Sequence, residues 1–141
     1  MFKLAPNQSG FKQPGNVKQE NPSLVYRSTF ARKVIKIIQA NFSNEQFYVT
    51  TLAQKTHLSV SQLNRKLKAL VGQPAGQLIW EMKMDHAAGL LLDDELSIGQ
   101  IGGMVGYSTQ AHFCRSFKKK YQCTPTQFRD QHRKQSGTPF S

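Results

Sequence analysis

The stretch Ile101–Arg129, "IGGMVGYSTQAHFCRSFKKKYQCTPTQFR", sets Arg115, Lys118, Lys119, Lys120 and Arg129 among aromatic rings and holds no acid. Its apolar residues recur at helical rather than alternating spacing, with Phe113, Phe117 and Tyr121 on one face of a helix from Ser108 to Tyr121. A shorter helix, Ser97 to Tyr107, precedes it, and Thr124 as cap with Pro125 just inside opens another after it. Two short helices meeting at a turn that contains Gly106, followed by a third, make a compact unit of a kind that builds helix-turn-helix motifs.

The same pattern occurs earlier in the chain. "LAQKTHLSVSQLNRKLKALVG" lies over "IGGMVGYSTQAHFCRSFKKKYQ" with one extra residue in the second turn. Leu52 pairs with Ile101, Ala53 with Gly102, Leu58 with Tyr107 and Ser59 with Ser108. Past the extra residue, Leu63 pairs with Phe113, Arg65 with Arg115, Leu67 with Phe117 and Lys68 with Lys118. Small residues at 53 and 102 let two helices cross closely. In each copy the second helix opens with short polar side chains, carries an arginine midway and ends in lysine, as a helix entering a DNA major groove by its N-terminal half requires.

Around these copies the remaining elements fall into place. "FARKVIKIIQANF" sets Phe30, Val34, Ile37, Ile38 and Phe42 on one face of a first helix, with Ser28 or Thr29 as N-cap. Thr50 or Thr51 caps a short second helix, and Ser59 caps a third that Gly72 and Pro74 stop, with Leu63, Leu67 and Leu70 inward. "PAGQLIWEMKMDHAAGLLLDD" reads as a longer fourth helix with Ile79, Met82, His86 and Leu90 along one side. No segment alternates like a strand. The expected fold is all-α, with about seven helices in two helix-turn-helix subdomains joined by a long linker helix. The expected divisions are a flexible tail at 1–29, a first unit at 30–73, the linker helix at 74–93, a second unit at 94–135 and a tail at 136–141.

Charge bounds the function. The chain has 141 residues and a formal net charge of +11, from 19 Lys and Arg against 8 Asp and Glu, so its field attracts polyanions. Residues 46–80 and 96–129 contain no acid, while Glu81, Asp85, Asp93, Asp94 and Glu95 crowd between them. This segregation predicts two basic surfaces and an acidic spacer. No run approaches the roughly 18 apolar residues of a spanning helix, and the N-terminus lacks a signal-peptide core. The expected partner is double-stranded DNA, with no membrane partner, in the cytoplasm at the nucleoid.

Catalytic and metal readings find little support. His112, Cys114, Cys123 and His132 do not pair at ligand spacing, and two residues apart on a helix, His112 and Cys114 point to different faces. Phosphate loops, nucleophile elbows and metalloprotease motifs are missing. No enzyme activity, metal or cofactor is expected. Cys114 and Cys123 read as packing thiols, His57 and His86 as structural, and Trp80 as partly buried core.

The pattern and its spacing, from about Phe30 to Arg133, resemble the DNA-binding domain of the AraC/XylS family of bacterial transcription regulators. The most specific part is an isoleucine and small residue at 101 and 102, Val105-Gly106-Tyr107, the Phe113 to Lys119 core and Thr124-Pro125 leading to Phe128-Arg129. Departures stand at Gly102, where Ala is usual, and at His57 and Gln122, where the family commonly has Gly. Asp85 and His86 occupy linker-helix positions that are often basic.

The resemblance implies two recognition helices presented to one side of the DNA. A linker of about 18 residues at 1.5 Å each spans near 27 Å, compatible with major-groove segments roughly 34 Å apart. Base contacts are expected from Ser61, Gln62, Asn64 and Arg65 in the first recognition helix and from Gln110, Ala111, His112 and Arg115 in the second. Phosphate contacts are expected from Lys66, Lys68, Lys118 and Lys119. The family implies activation through RNA polymerase, and its members usually carry a sensor or dimerisation domain ahead of this part, so the chain is expected to be either a small stand-alone regulator or a fragment of a longer one. The alternatives are a non-specific electrostatic nucleic-acid binder, which explains the charge but not the repeat, and a helical protein-interaction module.

Overall fold

The computed structural model describes residues Ser28–Ser136, with side chains through Arg133. The tails expected at 1–29 and 136–141 lie outside the described residues except for Ser28, Thr29 and Ser136. Seven helices are present and no strand occurs among the described residues: α1 Thr29–Ala40, α2 Val49–Lys55, α3 Val60–Val71, α4 Ala75–Leu90, α5 Ile98–Met104, α6 Gln110–Tyr121 and α7 Pro125–Ser136. They form two compact units, one reaching Asn41 and resuming over Phe47–Met82, the other taking Phe42–Gln46 and the chain from Lys83 onward.

In the first unit Ser28 caps α1, its Oγ accepting from the Ala31 N–H at 3.0 Å. Ala31, Val34 and Ile38 then face inward onto α2 and α3. The second helix starts earlier than the threonine caps suggest: Tyr48 is its N-cap, and Thr51 serves from the third position, its Oγ1 accepting from the Tyr48 N–H at 3.3 Å. Thr56, buried at the end of α2, satisfies its hydroxyl by donating to Leu52 O and Ala53 O at 3.1 and 2.9 Å. Leu52, Ala53, Leu63 and Leu67 complete this core with Phe47 and the start of α4, while Leu70 is only half-buried.

The second unit has the same plan with larger side chains. Phe113 and Phe117 are fully buried where the first unit has Leu63 and Leu67. Phe117 meets the ring of Phe128 edge-on at 5.4 Å and stacks on Tyr121 at 4.7 Å, so α6 and α7 share an aromatic cluster. The Tyr121 hydroxyl donates to Asp85, which also pairs with Lys120 at 3.1 Å. Thr109, not Ser108, is the N-cap of α6, accepting from the His112 N–H at 3.1 Å. Ser59 therefore corresponds to Thr109, and Ser108 is the extra residue of the longer turn.

Helix α4 departs from a single-stripe reading. Ala75, Leu78, Ile79 and Met82 are buried in its first half, whereas Met84, Ala87 and Leu91 are buried toward its end, and His86 is exposed. At about 100° per residue these are two different faces, so no continuous stripe exists. His86 instead stacks on Phe42 at 4.6 Å, where partial burial pushes its pKa down.

Each unit needs two left-handed backbone positions, one in the turn and one ending the second helix. The first unit has His57 (φ 61°) and Gly72 (φ 81°), and the second has Gly106 (φ 86°) and Gln122 (φ 66°). Left-handed geometry costs an L-residue roughly 1–2 kcal/mol, partly offset by the entropy that glycine loses on folding. His57→Gly and Gln122→Gly should therefore each stabilise the protein by roughly 0.5–1 kcal/mol in urea unfolding. Gly106→Ala should destabilise it by more, because its Cβ would lie 2.8 Å from Phe42 O.

Candidate nucleic-acid interface

Helices α3 and α6 each bury one face and expose the other. On α3 the exposed residues are Val60, Ser61, Gln62, Arg65, Lys66, Lys68 and Ala69, with Asn64 half-buried at the margin. On α6 they are Gln110, Ala111, His112, Arg115, Lys118 and Lys119. Both helices are twelve residues long, and Ser61, Arg65 and Lys68 correspond in turn to Ala111, Arg115 and Lys118. Each unit thus brings its expected contact residues onto one helix.

The surroundings separate these side chains by task. Arg65 and Arg115 are exposed and make no hydrogen bond or ion pair among the described residues, so their guanidinium donors face outward. Lys66 leans over the Phe30 ring, 4.6 Å from its centroid, which draws it toward α1 and away from the arginine side of α3. Lys68 and Lys118 stay exposed beyond the arginines. His112 meets Tyr107 edge-on at 5.0 Å, and the Tyr107 hydroxyl lies 2.7 Å from Ser116 Oγ. Burial raises the Tyr107 pKa, with the Ser116 hydrogen bond opposing.

Two carboxamides on α3 carry structural duties that composition does not reveal. Gln62 closes a capping box with Ser59, its Oε1 accepting from the Ser59 N–H at 2.9 Å while its own N–H donates to Ser59 Oγ at 3.1 Å. Asn64 Oδ1 accepts from the Ala75 N–H at 2.9 Å. Pro74 precedes Ala75 and has no side-chain acceptor for the start of α4, so Asn64 supplies one from α3. The second unit has Pro125 at the matching place and needs no acceptor there, and Cys114 stands opposite Asn64. Burial raises the Cys114 pKa, which keeps the thiol neutral.

Not every basic residue faces outward. The half-buried Arg129 donates from Nε to Leu91 O at 2.8 Å and from Nη2 to Asp93 O and Leu96 O at 2.9 and 2.7 Å. It satisfies carbonyls left open at the end of α4 and in the turn beyond. Arg133 pairs with Asp94 at 2.9 Å, and this contact holds the Asp94 carboxyl below its ordinary pKa. The exposed Val60, at the first position of α3, escaped the sequence reading because one apolar residue has no period to betray it. Among the described residues no group of three His, Cys, Asp or Glu is placed to hold a metal, and no helix is long and apolar enough to cross a membrane.

A family profile described as a helix-turn-helix domain matches residues 52–131. The xylose operon regulatory protein of Escherichia coli strain K12 is 32% identical over 113 residues, covering 79% of this chain and 29% of its own length. The transcriptional activator FapR of Escherichia coli is 26% identical over 118 residues, covering 79% of this chain and 45% of its own. The C-terminal domain of AraT, a response regulator from Geobacillus stearothermophilus, superposes with a TM-score of 0.69 at 34% identity, covering 74% of this chain and 86% of that one. The chain belongs to the AraC-type helix-turn-helix family of DNA-binding transcription regulators. It spans less than half the length of these two curated relatives.

Replacing Arg129 with Met should leave its three carbonyl partners without their charged donor. A loss of roughly 1.5–3 kcal/mol is expected in urea unfolding, with faster amide exchange in α7 than in α2.

Proposed function

We propose that this chain reads double-stranded DNA by sequence and regulates transcription, most directly as an activator, with the N-terminal halves of α3 and α6 each entering a major-groove segment. The observation that carries this reading is the matched placement of Arg65 and Arg115. Each sits outward at the sixth position of a twelve-residue helix in a basic, acid-free surround. Arginine offers paired donors to guanine O6 and N7, and the groove admits a helix with such a side chain at its centre.

Ser61, Gln62, Asn64 and Arg65 read bases in one half of the site, and Gln110, Ala111, His112 and Arg115 in the other, where the Ala111 methyl suits a thymine methyl. Lys68, Lys118 and Lys119 meet phosphates, and Lys66 approaches the backbone from beside Phe30. The tails, the two units and α4 work as the divisions expected at 1–29, 30–73, 74–93, 94–135 and 136–141. The protein acts in the cytoplasm at the nucleoid, by binding rather than catalysis. RNA polymerase is the partner that activation implies, and a sensing or dimerising domain supplies the signal.

Arg115→Ala should weaken binding by roughly 1–3 kcal/mol and relax one position of the preferred site, while Lys118→Ala should weaken all sequences alike. Titration of the full chain against a panel of single-base variants of a selected duplex distinguishes the two. Equal weakening on every sequence by both variants would remove Arg115 from direct readout. A random-pool selection yielding no motif would remove sequence reading altogether.

A further inference from the structure

We infer that Gln62, Asn64 and Arg65 meet the first half-site as hydrogen-bond donors, and so favour guanine at the positions they contact; this rests on the DNA-reading role proposed for α3. An asparagine or glutamine free at both ends of its carboxamide pairs with adenine, donating to N7 and accepting from N6. Neither carboxamide on α3 is free in that way. Asn64 turns its oxygen to the Ala75 N–H at 2.9 Å, and Gln62 turns its oxygen to the Ser59 N–H at 2.9 Å.

Because both partners are backbone N–H groups, which only donate, the atom facing them is the oxygen. The NH2 is then the end left for a base. Arg65 beside them is a donor by chemistry. Guanine presents two acceptors, O6 and N7, to the major groove, whereas adenine and cytosine each present an amino donor that suits these three side chains less well. The second unit differs. Gln110 is exposed, its carboxamide has no such backbone partner among the described residues, and position 112, opposite Gln62, is a histidine. Its half-site is free to include adenine.

Asn64→Asp and Gln62→Glu test this inference, since each carboxylate can still accept the backbone N–H while losing the donors. Wild-type and variant chains of all 141 residues are each used to select duplexes from a random pool, with unfolding midpoints measured in parallel. The expected result is a guanine-rich block in the wild-type motif and, in each variant, a shift of about tenfold at one position of that block from guanine toward cytosine, whose amino group a carboxylate accepts. Gln62→Glu carries the test if Asn64→Asp does not fold. Adenine in the wild-type motif at the position the variants alter would overturn the inference, as would motifs unchanged in both variants. Both results leave sequence-specific binding standing. A wild-type pool with no motif would instead overturn the DNA-reading role itself.

Discussion

The close crossing of two short helices governs each unit. In the second unit α5 lies so near α6 that a Cβ on Gly102 would come within 3.1 Å of the Phe113 Cβ. Ala53, buried at the matching place in the first unit, is the small residue there. The turn must then fold back within a few residues, and it does so through a left-handed position, His57 or Gly106. With crossing and turn set, the buried face of the second helix is fixed as Leu63 and Leu67 or Phe113 and Phe117, and the opposite face is left for Arg65 or Arg115. The outward face that each arginine occupies is the remainder of a packing problem.

The two units solve that problem with different side chains. Each has one glycine and one non-glycine at its two left-handed positions, but in opposite order: His57 and Gly72 in the first, Gly106 and Gln122 in the second. In the turn of the second unit glycine is demanded by space as well as by φ, since Phe42 O leaves no room for a Cβ at Gly106. His57 lies exposed, so backbone geometry alone sets its cost. Asn64 and Pro125 form a similar contrast. One feeds an acceptor to an open N–H and the other removes the N–H, and both end with a satisfied helix start.

Much of this was legible in the chain because periodicity and capping are local. Leu63, Leu67, Phe113 and Phe117 announce their faces by spacing, and Ser59, Gly72, Thr124 and Pro125 mark ends by chemistry that acts within a turn. The repeat led to the outward arginines for the same reason. The features that escaped depend on partners distant in sequence. The inward residues of α4 and the turn after it divide between Ala75–Met82 and Met84–Leu91 because different packing environments claim the two halves, so a single helical period places His86 on a side where it is in fact exposed. The Ala75 N–H beside the Asn64 oxygen and the Phe30 ring beneath Lys66 are contacts that no local pattern announces. Arg129 looks like one more basic surface residue, yet its acceptors lie more than thirty positions earlier in the chain.

Arg129 and its neighbours also bear on how the protein meets an ion atmosphere. Duplex DNA carries condensed counterions, and only protein charges that reach phosphate displace them. Arg129 spends its donors on carbonyls, Lys120 sits against Asp85, and Arg133 sits between Asp94 and Asp130. These cations are engaged within the fold, although each counts among the 19 Lys and Arg of the chain. On the proposed reading, the ions released on association follow from the lysines and arginines that α3 and α6 expose. On the proposed reading, the ions exchanged are then fewer than the 19 lysines and arginines suggest, and more of the affinity falls to the fit of the two helices in the groove.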